Sequence, residues 1–180
     1  RWSEIITGDV PDVVDTFPAG SCGLSSPSLV NETIDDLLIL VEVVEIDGPG
    51  SILGQAGPCF IRDDGSNLPV LGRMRLDVED LQQIDERGLL IPLILHEAGH
   101  VIGIGTIWGL EGLLAEPSLD FPGADTHFTG TQAIAAFDAV GGTPYTGAKV
   151  PVENFQGGRG TQDSHWRESV FVTELMTGFI

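Results

Sequence analysis

One segment constrains this chain more than any other: Pro92-Leu93-Ile94-Leu95-His96-Glu97-Ala98-Gly99-His100-Val101-Ile102-Gly103. Pro92 suits the first turn of a helix, where its missing N–H costs nothing. Gly103 suits the position just past the last turn, where the helix stops and the chain turns sharply. On a helix, His96 and His100 stand one above the other on one face. The flanking Leu93–Leu95 and Val101–Ile102 are apolar, so the helix is expected inside the fold. Two imidazoles and a carboxylate placed there cost several kcal/mol unless they are paired or liganded. The HExxH spacing supplies the remedy. Two imidazole nitrogens can grip one zinc at about 2.0–2.1 Å, and Glu97 projects beside them, within reach of a proton on water activated by the metal. Random placement of this composition gives the pattern about 0.006 times per chain. A helix carrying two surface histidines is the bland alternative, and the apolar flanks count against it.

A catalytic zinc takes three protein ligands and leaves a fourth position open. A compact three-histidine arrangement would need its third ligand at position 106, where Thr106 stands. A glutamate from a following helix would be Glu116, in Glu116-Pro117-Ser118-Leu119-Asp120, but Pro117 breaks a helix there. The remaining histidines are His127, in DTHFTG, and His165, in GGRGTQDSHWRES. His165 is the stronger candidate, because its glycine-rich loop can aim a side chain freely and Glu174-Leu175-Met176 follows. His127 reads as a loop or surface histidine. Asp163 and Glu168 flank His165 and read as solvated loop acids or as acceptors that orient it. Trp108 and Trp166 read as packing residues, and Tyr145, the only tyrosine, matches no motif.

The rest of the chain bounds the fold. The 180 residues suit one domain with two lobes, 1–103 and 104–180. Trp2–Ile6 reads as the tail of a helix, Asp36–Ile46 as a long strand, Gly48–Gly57 as a glycine-rich loop and Leu68–Leu76 as an edge strand. Asp77 is expected to cap a helix over 78–87, and Thr131–Val140 reads as a further helix. Strands followed by interleaved helices predict an α+β class. A formal charge of −19, from 8 basic and 27 acidic residues, excludes nucleic-acid and anionic-membrane partners. It leaves solubility or cation binding as its uses. No apolar run is long enough to cross a membrane. Cys22 and Cys59 read equally as free thiols or as one disulfide of an oxidising compartment. Asn31-Glu32-Thr33 is a glycosylation sequon, which also points outside the cell. The chain begins at Arg1, which suggests a processed start.

The combination of HEAGHVIGIG and the distant SHWRESVFVTELMTG resembles the leishmanolysin family of zinc metalloproteases, of the metzincin clan. The resemblance runs from the strand near Asp36 to the end of the chain. It implies that His96, His100 and His165 are zinc ligands, that Glu97 is the general base, and that Met176 stands in the methionine turn beneath them. It implies a metzincin-like catalytic domain with a twisted mixed sheet, and a secreted or cell-surface endopeptidase acting on proteins or peptides. A propeptide would lie upstream of Arg1, and the helix that follows the methionine turn in metzincins would lie beyond Ile180, leaving the C-terminal lobe truncated. The rival class is a non-catalytic, zinc-stabilised adhesion or binding module, which has no need to keep Glu97. A calcium-binding reading would rest on Asp63-Asp64-Gly65-Ser66-Asn67, which lacks the spacing and closing glutamate of an EF-hand, so a turn is the simpler expectation.

Overall fold

The structure is a computed structural model that describes residues 1–24, 29–142 and 147–179. Tyr145 lies outside the described residues. The class is α+β, and the chain divides into two compact units, Arg1–Gly103 and Ile104–Ile180.

The first unit runs α1 (Trp2–Ile5), β1 (Val13–Pro18), β2 (Leu29–Ile34), β3 (Leu38–Val44), β4 (Gly54–Ile61), β5 (Pro69–Asp77), α2 (Leu81–Glu86) and α3 (Leu90–Ile102). Strands β1 and β2 pair antiparallel; β3, β5 and β4 form a second sheet in that order, with β5 parallel to β3 and antiparallel to β4. β5 is therefore the central strand, not an edge. Its alternation has another cause, since its two faces meet different neighbours. Met74 and Leu76 enter a core with Ile84 and Leu93. Arg73 and Arg75 point the other way and donate to the carbonyls of Cys22 (2.6 Å) and Gly23 (2.7 Å). Leu71 joins Phe17, Val30 and Ile34 in a second core.

Residues 54–57, expected in a loop, instead open β4. Gly54, Gly57 and Pro58 hide a strand from any propensity argument, and a proline is tolerated here because β4 is an edge. Cys22 and Cys59 form a disulfide, with Cα atoms 5.3 Å apart, which ties the segment before β2 to β4. Asp77 does not cap α2, which starts four residues later at Leu81. Its buried carboxylate instead accepts from the amides of Glu79 (2.9 Å), Ile46 (3.0 Å) and Asp47 (3.2 Å). Asp80 accepts from Gly50 (2.7 Å), so two acids pin the loop that links β3 to β4. Asp63–Asn67 lies in the turn between β4 and β5, where the Asp64 carboxylate accepts from the Ser66 amide (2.8 Å). Asp9, Asp35 and Asp36 bring three exposed carboxylates together near β2, and neighbouring Asp36 raises the Asp35 pKa.

The second unit holds short elements: β6 (Leu114–Ala115), β7 (His127–Phe128), α4 (Thr131–Ala139), β8 (Val150–Pro151) and α5 (Glu168–Phe171). β7 pairs antiparallel with both β6 and β8. An aromatic stack replaces a large aliphatic core. Trp108 lies 4.5 Å from Trp166 and 5.0 Å from Phe128, and Trp166 continues to Phe171 at 5.9 Å between ring centroids. Both tryptophans are thus packing residues.

Candidate metal centre

Helix α3 carries the HExxH residues, and its first turn begins two residues before Pro92. Its buried stripe is Leu93, His96, Glu97, His100 and Val101, spaced three or four apart, with Gly99 alongside. The helix packs on β4 and β5. Gly103 ends it at φ 121°, and its N–H bonds back to Gly99 and His100 carbonyls. That conformation favours glycine.

His96 and His100 turn their rings edge to face, with centroids 4.7 Å apart and Nε2 atoms 3.1 Å apart. One ring nitrogen from each of His96, His100 and His165 lies within 4.8 Å of the others, and all three residues are buried. This group can hold a metal ion. The donor set also fits one: two imidazoles on a tetrahedral zinc place their nitrogens about 3.3 Å apart. Glu97 lies beside them and is buried, and its Oε2 has no hydrogen-bond partner among the described residues. Burial pushes its carboxyl up to about 7. A buried carboxylate oxygen without a protein partner is costly unless water or a ligand supplies one, so Glu97 Oε2 is available to a group bound at the histidines.

His165 is oriented within its own unit. Its Nδ1 lies 3.1 Å from both the Thr161 carbonyl and the Ser164 hydroxyl; because the carbonyl can only accept, a proton on Nδ1 suits this contact and would leave the Nε2 lone pair for a metal. Gly105 comes so close to Ser164, the residue before His165, that a Cβ there would sit 1.9 Å from the Ser164 carbonyl. Met176 is buried, and its carbonyl accepts from Trp166 N–H at 3.0 Å, so the methionine's backbone is bonded to the residue after His165. The Glu174 carboxylate accepts from Met176 N–H (2.6 Å) and closes that turn.

Of the acids beside His165, Asp163 is not solvated and bonds other partners, while Glu168 is half-buried. Asp163 is buried and accepts from Ser118 N (2.8 Å), Ser118 Oγ (2.7 Å), Leu119 N (2.9 Å) and Thr126 Oγ1 (3.2 Å). Glu168 opens α5. Glu116 is exposed, and His127 Nδ1 bonds the Asp125 carbonyl at 2.8 Å; neither joins a metal-holding group among the described residues.

Two residues with a stake in this geometry escaped the sequence reading. A Cβ at Gly54 would lie 2.6 Å from Glu97 Oε1, so any larger residue on β4 would displace the carboxylate from its present position. Glu153 is fully buried among backbone amides. No spacing rule marks either; both are set by contacts across the fold. No helix among the described residues is long and apolar enough to cross a membrane, and the disulfide is compatible with an extracellular location. No protein-family profile matches the chain, and no curated protein matches it.

Proposed function

We propose that the chain is a zinc-dependent endopeptidase of leishmanolysin-like, metzincin type, working outside the cell on protein or peptide substrates. The observation that carries this reading is the pairing of three buried imidazoles with a buried, unpartnered Glu97. Bound zinc supplies Lewis acidity to water and to a carbonyl oxygen. His96, His100 and His165 would hold it as neutral ligands, and the Thr161 carbonyl can accept the Nδ1 proton of His165. Glu97 Oε2 accepts the proton of the attacking water and returns it to the departing amine. A carboxylate beside the metal-activated water is placed for both transfers. The rival, a zinc-stabilised binding module, leaves the burial of a bare carboxylate beside three histidines without a purpose.

The test is cleavage of casein or a quenched peptide by purified protein. Activity lost to a chelator and restored by stoichiometric zinc supports the reading. A protein that holds one zinc per chain and cleaves nothing supports the binding module instead.

A further inference from the structure

We propose that Glu153 is the positioning residue for the third ligand, His165, a role that rests on the metalloprotease reading. Glu153 is 2% exposed, yet it is a carboxylate. Its own backbone brackets the ligand: its N–H donates to the His165 carbonyl and its carbonyl accepts from Asp163 N–H, both at 2.8 Å. Its side chain binds both flanks. Oε1 accepts from the amides of Asn154 (3.1 Å), Phe155 (3.0 Å) and Gln156 (2.9 Å). Oε2 accepts from the amide of Glu168 (3.1 Å), three residues past His165. One carboxylate thus satisfies four backbone donors and fixes the chain before and after the ligand.

The charge is needed for this. An ionised carboxylate is acceptor-only, with about four lone-pair sites, and hydrogen bonds to it are roughly twice as strong as neutral ones. A glutamine in its place would turn an NH2 toward at least one of the four amides. The loop would have to open at 154–156 or at 168, and His165 lies between those points. The Nδ1 contacts of His165 with Thr161 and Ser164 lie upstream, and Trp166 N–H bonds the Met176 carbonyl downstream, so the Glu153 bonds complete a restraint that these contacts share.

The test is zinc affinity, by competition with a chelating indicator, together with the absorption spectrum of the cobalt-substituted full chain. Glu153→Gln is expected to weaken zinc binding about 10–100-fold and to move the cobalt spectrum toward that of His165→Ala. Phe137→Leu, in the aromatic stack of the same unit, is expected to lower stability and leave the cobalt spectrum in place, which separates positioning from a general loss of fold. Glu168→Pro deletes one of the four donors at the first position of α5, where proline is tolerated, and Arg167 at φ −66°, ψ 115° accommodates it. It is expected to give a smaller loss in the same direction, and it decides the matter if Glu153→Gln does not fold. Folded variants with wild-type affinity and spectrum would overturn the role of Glu153 alone. A wild-type chain that binds no zinc, or a His165→Ala variant that binds it as the wild type does, would overturn the metalloprotease reading and this inference together.

Discussion

The Nε2 atoms of His96 and His100 lie 3.1 Å apart, one helical turn along α3. Two neutral imidazoles at that distance can share one proton, or both can aim lone pairs at a common cation. The second arrangement makes stability depend on metal, because a ligand bound only by the native state stabilises it by mass action. At a zinc concentration of about 100 times Kd the gain is about 2.7 kcal/mol. Thermal scans with zinc and with a chelator are expected to differ accordingly, and His96→Ala is expected to erase the difference.

Gly54 sets the wall against which Glu97 lies. A methyl group there would meet Glu97 Oε1 at 2.6 Å and displace the carboxylate. The zinc ligands on α3 are untouched, so Gly54→Ala is expected to keep one zinc per chain. Peptide cleavage is expected to drop by up to about 100-fold, the scale of a misplacement near 1 Å. Metal analysis beside steady-state kinetics checks both.

The Cys22–Cys59 disulfide closes a span of 37 residues far from the imidazoles in sequence. Removing it through Cys22→Ser with Cys59→Ser is expected to cost about 2–5 kcal/mol. Denaturant titration reads that loss, with zinc content per folded chain unchanged.

Asp77 gives the acid limb of the stability curve. Hydrogen bonds from the amides of Glu79, Asp47 and Ile46 hold its carboxyl below the ordinary aspartate value, against burial. A group with a lowered native pKa adds stability that is complete above its unfolded value, near about 3.9, and is lost as pH falls through the native one. Asp77→Asn is expected to destabilise at neutral pH and to flatten the decline below about pH 4. Urea titrations across that range check it.

Legibility in the sequence followed the range of the interactions. Helix α3 was readable because its period, its proline and its glycine are local signals, and the HExxH residues ride on it. The edge strand β4 was not, since Gly54, Gly57 and Pro58 argue against a strand and only pairing with β5 makes it one. The place of Arg73 and Arg75 was misread for a related reason. A polar alternation marks an edge only when water is what the polar side meets, and here it meets the Cys22–Gly23 carbonyls. The same holds for charge. Most of the −19 reads as solvated surface, but Asp77, Glu153 and Asp163 are buried acceptors of backbone amides. Composition counts such acids without revealing that they are internal.

The most direct measurement is Glu97→Gln, assayed for zinc and for peptide cleavage in the same preparation. Glutamine keeps the shape beside the imidazoles and removes the group that takes the proton. The variant is expected to hold one zinc per chain, keep its fold and cleave at least about 100-fold more slowly. Cleavage at the wild-type rate by the zinc-loaded variant would contradict the role of Glu97 as general base.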